Sequence, residues 1–155
     1  MADDGISKNI LLNVVPGNYY VVIRHRNHLS VMSANAVTLV ENTLTYDFTT
    51  AESQAYIKTP GAIPMASLEG GKYGMQAGDV NGDGVVKYNL VGNDRALIYS
   101  RIGGGNVNAT VSGYYNEDVN LDGVVKYNLG NNDRALIYQT IGGGNVNDTV
   151  LTQVP

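Results

Sequence analysis

The side chains best suited to bind a ligand lie in a stretch that the chain contains twice. The pattern Asp-x-Asn-x-Asp-Gly begins at Asp79 and occurs again 39 residues later at Asp118. Side-chain oxygens at alternate positions of a tight loop converge, and calcium binds about six to eight oxygens. The pattern is that of the first half of an EF-hand loop. It therefore predicts two Ca²⁺ sites, one in each copy.

Each copy supplies candidate calcium ligands of three kinds: Asp or Asn side chains, main-chain carbonyls and a later acid. The candidates in the first copy are Asp79, Asn81, Asp83, Val85, Lys87 and Asp94. The candidates in the second copy are Asp118, Asn120, Asp122, Val124, Lys126 and Asp133. Val85 would offer its carbonyl. Lys87 cannot bind calcium through its ammonium, so it would contribute its carbonyl or leave room for a water.

The twelfth position of each loop departs from the EF-hand pattern. An EF-hand has a bidentate acid there, whereas this chain has Leu90 and Leu129. We expect residues 88–93 to form an inserted bulge and Asp94 to turn back and complete the ligand shell. Asp94 should also cap the following helix, because a carboxylate suits the free N–H groups of a helix N-terminus. The alternative is a pair of polar turns that hold no metal.

Short helices are predicted to follow both loops. Isoleucines four residues apart indicate helices over about residues 94–102 and 133–141. Gly103 and Gly142 suit the left-handed position that often ends a helix. We expect the two loop–helix units to pack against each other through these helices. No helix is predicted directly before Asp79, which differs from the helix–loop–helix of an EF-hand.

Residues 6–58 have the alternating, β-branched and aromatic composition of strands. The predicted hairpins pair residues 10–15 with 19–25 and residues 36–40 with 44–48. Four such strands predict part of an Ig-like β-sandwich, which has about seven strands when complete. The predicted sheet should therefore have an unpaired edge that is open to another strand.

Two histidines lie at the end of the clearest predicted strand. His25 and His28 are three residues apart, so they could hold a transition metal together. The chain has no cysteine and no obvious third ligand nearby to support zinc. The alternative is a polar turn in which His25 is hydrogen-bonded.

The composition limits the possible classes of function. The chain has 155 residues, a formal net charge of −4 and no cysteine. This length fits one domain or two small ones. We expect a partial β-sandwich at residues 1–58, a connector at 59–77 and a duplicated calcium-binding region at 78–155. Most acids from Asp79 onward lie in the two repeats, so the acidity gives no support to nucleic-acid binding. The lack of cysteine excludes disulfide chemistry.

The two loop–helix units resemble dockerin type I modules, which carry two calcium half-motifs without a leading helix. The resemblance covers roughly residues 78–142. It implies that the Asp and Asn residues that open each loop take the family's calcium positions. Asp94 and Asp133 match the family's final acid if the insertion is allowed. Lys87 and Lys126 stand where the family usually has asparagine.

A second resemblance covers nearly the whole chain. The stretch at residues 16–29, the sequence at 78–81 and the two Asn-Asp-Arg repeats are similar to the C-terminal, dockerin-like region of large secreted Bacteroidetes-type proteins. This resemblance implies an extracellular, calcium-binding module without enzymatic activity.

We expect a calcium-stabilised structural or adhesion module, with a fibre subunit as one form of it. Its open β-edge would be completed by a neighbouring copy of the chain. The alternatives are a dockerin-like module that docks onto a receptor and an accessory carbohydrate-binding domain that stacks tyrosines on sugars. No nucleophile–base pair or phosphate loop predicts an enzyme. The acidic N-terminus lacks a signal-peptide pattern, so we expect a mature or truncated chain located outside the cell or on its surface, without membrane insertion.

Overall fold

The computed structural model describes residues 14–40 and 43–155 of the chain. The strands are β1 (Gly17–Tyr19), β2 (Val22–His25), β3 (His28–Met32), β4 (Val37–Leu39), β5 (Met65–Leu68), β6 (Lys72–Met75), β7 (Val85–Lys87), β8 (Thr110–Ser112), β9 (Val124–Lys126) and β10 (Thr149–Leu151). The α-helices are α1 (Asp94–Arg101) and α2 (Asp133–Thr140). The expectation of a mainly β chain with short helices is confirmed. No helix of the described residues is both long and apolar enough to cross a bilayer.

The N-terminal strands pair differently from the prediction. The continuous strand predicted over residues 19–25 is divided between two antiparallel sheets. Tyr19 ends β1 and pairs with Val37 of β4, while β2 pairs with β3 across a tight turn. A β-rich run does not specify its partner, so the strand divides where its two halves meet different neighbours. The predicted first strand, residues 10–15, extends outside the described residues.

The strand predicted over residues 44–48 was wrong. Phe48 opens a short 3-10 helix, Phe48–Thr50, in which Asp47 accepts a hydrogen bond from the Thr49 N–H at 2.8 Å. Phe48 is buried and packs against Val31 and Met65 in a small apolar cluster. Burial of this ring, together with the Asp47 cap, favours the helical turn over a strand.

The expected connector contains a hairpin of its own. Strands β5 and β6 pair from Met65 with Met75 to Leu68 with Lys72. The hairpin joins the N-terminal part because the Leu29 N–H donates to the Gln76 carbonyl at 2.8 Å. Met65 is buried in the same small apolar cluster as Phe48, whereas Leu68 is half exposed.

The larger apolar core is built from matching residues of the two repeats. Val80, Val86, Ile98 and Ile102 of the first copy lie with Val119, Val125, Ile137 and Ile141 of the second. Helices α1 and α2 contact each other, as predicted. Each helix ends in a Schellman motif: the Gly103 and Gly104 N–H groups donate to the Ser100 and Tyr99 carbonyls at 3.0 Å.

Each repeat is completed by the strand that follows the other. β8, which follows α1, pairs with β9 of the second copy. β10, which follows α2, pairs with β7 of the first copy. The tyrosines cross in the same way: Tyr88 lies 5.2 Å from Tyr138, and Tyr99 lies 5.2 Å from Tyr127, between ring centroids. The two copies therefore form one interleaved unit.

The turn between β2 and β3 inserts into the second copy. Asn27 is fully buried, and its side-chain N–H groups donate to the Asn116 and Asp118 carbonyls at 2.8 and 2.7 Å. Its own carbonyl accepts from the Gly78 N–H at 2.9 Å. One buried asparagine thus links the N-terminal hairpin to the beginnings of both repeats.

Candidate metal centre

Loop 1 (residues 79–94) has its first turns held by hydrogen bonds from backbone N–H groups to the predicted ligand side chains. Asn81 Oδ1 accepts from the Asp83 N–H at 2.9 Å, and Asp83 Oδ1 accepts from the Val85 N–H at 2.9 Å. Asp79 Oδ2 accepts from the Gly84 N–H at 3.1 Å. The three side chains predicted to converge are therefore brought into one small loop.

Loop 2 (residues 118–133) repeats this network. Asn120 Oδ1 and Asp122 Oδ1 each accept a hydrogen bond at 3.0 Å, from the Asp122 and Val124 N–H groups. Asp118 Oδ2 accepts from the Gly123 N–H at 3.1 Å. The glycine of the sixth position has a left-handed φ in both loops, 80° at Gly84 and 84° at Gly123. This conformation favours glycine over any residue with a Cβ.

Asp94 turns back onto its loop, as predicted, but it does not cap the helix. The cap is Asn93, whose side chain accepts from the Ala96 N–H at 2.9 Å. Asp94 Oδ1 accepts from the Val80 and Asn81 N–H groups at 2.8 and 3.3 Å, and Oδ2 accepts from the Lys87 N–H at 2.8 Å. The prediction of an Asp94 cap was wrong because its carboxylate binds these loop N–H groups instead.

The second copy has the same arrangement. Asn132 caps α2 through the Ala135 N–H at 2.9 Å. Asp133 accepts from the N–H groups of Val119, Asn120 and Lys126 at 2.7, 3.1 and 2.7 Å. Burial raises the pKa of Asp94 to about 6 and raises that of Asp133. In each loop a fully buried acid ties the first turn, the short strand and the helix together.

The lysine at the ninth position lies over the loop acids. Lys87 Nζ donates to Asp83 Oδ2, and Lys126 Nζ donates to Asp122 Oδ2. The hydrogen bond to Asp83 raises the pKa of Lys87, and the charges of Asp94 and Asp79 raise it further. A cation that enters loop 1 must therefore compete with this ammonium for Asp83.

The residues of loop 1 fit a cation at one point in particular. Asp79 is 6% exposed, and its Oδ1 is buried without a hydrogen-bond partner among the described residues. Burial raises the pKa of Asp79, and the nearby Asp83 charge adds to this effect. Calcium takes carboxylate and amide oxygens. Asp79 Oδ1, and the lone pairs left free on the Asn81 side-chain oxygen and on Asp94 Oδ2, are oxygen ligands of that kind.

The acids of one loop are not gathered around a single point. Across the described part of the chain, no three His, Cys, Asp or Glu side chains form a group that could hold a metal ion. In loop 1 the reason is local, since Asp94 faces backbone N–H groups and Asp83 faces Lys87. Val85 and Val124, predicted as carbonyl ligands, begin β7 and β9 and pair with Leu151 and Ser112.

Two charged residues near loop 2 were absent from the predicted site. Arg26 contacts Asp118 at 3.4 Å, and Glu117 pairs with Arg101 at 3.0 Å. Arg26 is 92 residues from Asp118 in the chain, so no local pattern connects them. Glu117 could have been noticed in the sequence, because alignment of the two repeats places it opposite Gly78 of the first copy.

The two histidines contact each other within the hairpin turn. Their Nδ1 atoms are 3.1 Å apart, and His28 Nδ1 is 2.7 Å from Asn27 Oδ1. The Asn27 oxygen accepts, so His28 donates from Nδ1. Burial lowers the pKa of His28 to about 4, and the charges of His25 and Arg26 lower it further. His28 is therefore a neutral member of the Asn27 network at pH 7.

Comparisons with known proteins add no relative to this description. No protein-family model matches the chain, and neither does any curated protein or solved structure. The geometry of the two loops therefore carries the functional inference.

Proposed function

We propose that the chain is a non-enzymatic extracellular module whose two loops are stabilised by calcium and whose role is structural or adhesive. The observation that carries the proposal is the buried Asp79 Oδ1 without a hydrogen-bond partner. The proposed ligands are the candidates from Asp79 to Asp94 in loop 1 and their counterparts in loop 2. Calcium supplies positive charge to these oxygens and no chemical step.

The energetics of Asp79 favour a cation over an empty polar turn. A buried polar atom without a partner costs about 1–3 kcal/mol, and more when it carries charge. The Gly84 N–H satisfies one oxygen of Asp79, so the other oxygen retains most of this penalty. A divalent ion bound there would remove it.

Calcium binding would stabilise the fold by mass action. A ligand that binds only the folded state adds RT ln(1 + [L]/Kd) to the free energy of unfolding. A site with a Kd of about 0.1 mM gains roughly 1.8 kcal/mol in about 2 mM calcium, which is typical outside cells. The total stability of a small domain is about 5–15 kcal/mol. Two such loops would therefore supply a substantial part of the stability of the fold.

The proposal extends to assembly through strand edges. In the described residues every sheet has only two strands, so each has outer edges without a partner in its own sheet. Val22 and Ile23 of β2 are about 40% exposed beside such an edge. We include in the proposal an incomplete Ig-like sandwich, completed by a neighbouring copy, and a dockerin-like pair of loop–helix units. Unpaired edges with apolar side chains favour strand addition.

Thermal unfolding with calcium or with chelator tests the metal sites. We expect 2 mM calcium to raise the Tm of the wild type by about 5–10 °C. Asp79→Asn should lose part of this gain, yet in chelator it should be at least as stable as the wild type, because no unpartnered charge remains. Asp148→Asn, which changes an exposed acid outside the loops, should behave as the wild type. Equal melting of the wild type in calcium and chelator would contradict the proposal.

Sedimentation of the purified chain tests the assembly. Strand addition between copies predicts large, calcium-dependent particles that dissociate on dilution or with chelator. A single small species at all concentrations would reject self-assembly and leave the calcium sites to be judged by the melting experiment.

A further inference from the structure

The first acids of the two loops differ in their surroundings. In loop 1, Asp79 Oδ1 has no partner among the described residues. In loop 2, Asp118 Oδ1 accepts from the Asp122 N–H at 3.1 Å. Asp118 Oδ2 accepts from the Gly123 N–H at 3.1 Å and lies 3.4 Å from an Arg26 guanidinium nitrogen. Two loops of nearly identical sequence therefore differ at their first acid: Asp118 lies beside a guanidinium, whereas one oxygen of Asp79 has no hydrogen-bond partner among the described residues.

Two further contacts hold Arg26 in this position, and another fixes its neighbour Asn27. Its Nε donates to the Tyr115 carbonyl at 3.1 Å, and its guanidinium lies 3.9 Å from the centroid of the Tyr114 ring. The neighbouring Asn27 is fixed by the Asp118 carbonyl at 2.7 Å. The side chains of Arg26 and Asp118 are 15% and 4% exposed. Water screens such a pair less than an exposed one.

The remaining charges do not cancel this difference. Each loop has one lysine on its fifth-position acid, so Lys87 and Lys126 are equivalent. Glu117 adds an acid beside loop 2, and Arg101 balances its charge by pairing with one oxygen at 3.0 Å, while the other oxygen is buried without a hydrogen-bond partner among the described residues. No basic side chain in the described ranges pairs with Asp79 as Arg26 pairs with Asp118. Loop 2 therefore carries one positive charge more than loop 1.

We propose that the two loops are unequal calcium sites, in which loop 1 fills first and Arg26 of the N-terminal hairpin restrains loop 2. This inference rests on the proposed calcium function. Ligand charge sets the affinity of oxygen-rich calcium loops, and one unit charge near a divalent ion changes its affinity by roughly tenfold in partly solvated surroundings. Coupling between sites is reciprocal. Calcium in loop 2 therefore loosens the contact between Arg26 and Asp118.

Calorimetric titration of the full chain with calcium chloride measures the two affinities. Asp118→Asn isolates loop 1, and Asp79→Asn isolates loop 2. We expect loop 1 to bind about tenfold more tightly than loop 2. In the Asp79→Asn background, Arg26→Gln should then raise the affinity of loop 2 by about tenfold, because the restraining charge is gone.

Two controls separate charge from a general change in the hairpin. Arg24→Gln removes an exposed charge from the same hairpin and should leave both affinities unchanged. Arg26→Lys keeps the charge, so it should retain most of the difference between the loops. The affinities of loop 1, measured in Asp118→Asn, and of loop 2, measured in Asp79→Asn, can be compared without any change at Arg26. They therefore test whether the two sites are unequal even if an Arg26 variant fails to fold.

The possible failures are distinct. No calcium heat and no calcium-dependent melting in the wild type would overturn the proposed function itself. Two loops of equal affinity, or an unchanged loop 2 affinity in folded Arg26→Gln, would overturn the inequality while the calcium function stands.

Discussion

Asp79 and Asp94 belong to the same loop, yet their carboxylates differ in how they are hydrogen-bonded. Asp94 is fully buried and accepts three backbone N–H groups, so its carboxylate organises the loop. Asp79 is almost as buried, but one of its oxygens has no partner among the described residues. Backbone N–H donors offset part of the cost of burying a carboxylate, whereas an oxygen without a partner keeps that cost in full. The residues of the loop thus divide into those that shape it and Asp79, for which we propose a bound cation.

His28 predicts a loss of stability in mild acid. Its folded pKa is about 4, below the value of about 6.5 for an unfolded histidine. The unfolded state therefore binds more protons between these values. The contribution of His28 should be complete above pH 6.5 and should decrease as the pH falls towards 4. Urea unfolding in chelator at pH 7 and pH 5 measures this change.

Comparison with a variant isolates the histidine from the other titrating groups. Between pH 7 and pH 5, His28→Gln should lose less stability than the wild type, or gain more, because glutamine does not titrate while Asp94, whose raised pKa acts in the opposite direction, is unchanged. Equal pH dependence of the wild type and His28→Gln would show that His28 is not the source.

At the scale of the elements, the two loops differ at their fourth position. Gly82 has a φ of 72°, while Leu121 has a φ of 62° in the matching position. A left-handed φ costs a residue with a Cβ about 1–2 kcal/mol. Loop 2 keeps the geometry of loop 1 in spite of this cost, because the surrounding hydrogen bonds determine the backbone.

Exchange of these two residues should change stability in opposite directions. Leu121→Gly relieves the backbone and loses little burial at a side chain that is about half exposed, so we expect a gain of about 0.5–1 kcal/mol. Gly82→Leu should lose about 1 kcal/mol although there is open space around it. Urea unfolding in chelator measures both free energies.

The control for this pair is Gly105→Leu, because Gly105 also has open space but lacks a left-handed φ. It should not be destabilised as Gly82→Leu is. A loss of stability in Leu121→Gly would contradict the argument from backbone strain.

At the scale of the whole molecule, the exchange of strands makes the two repeats dependent on each other. Loop 1 is backed by β10, which follows the second helix, and loop 2 is backed by β8, which follows the first. Separate repeats would leave Val86 and Val125 without their partner strands. We therefore expect the duplicated region to unfold in one transition. The boundaries at residues 58 and 77 stay a prediction.

Matched substitutions test this crossed arrangement. Val150 pairs with Val86, and Val111 pairs with Val125. An aspartate at either position places a charge beside a fully buried valine, and we expect each change to cost about 1–3 kcal/mol. Val150→Asp should weaken calcium binding at loop 1 and Val111→Asp at loop 2, measured by calorimetry in the Asp118→Asn and Asp79→Asn backgrounds. The opposite assignment would exclude the exchange.

Features that depend on residues close together in the chain could be predicted from the sequence. The repeat, the alternation of oxygens, the sharp turns at Gly84 and Gly123 and both helices follow from local spacing, and the structure contains them. Local preference could not choose the helix cap between the adjacent Asn93 and Asp94, because three N–H groups from the loop compete for Asp94.

The partners of these local elements depend on contacts between distant parts of the chain. The division of residues 19–25 between two sheets, the exchange of β8 and β10, and the contact of Arg26 with Asp118 join residues far apart in sequence. Such contacts depend on which surfaces meet when the core is buried, and neither periodicity nor propensity encodes them. The electrostatic difference between two loops of almost the same sequence is therefore a property of the fold.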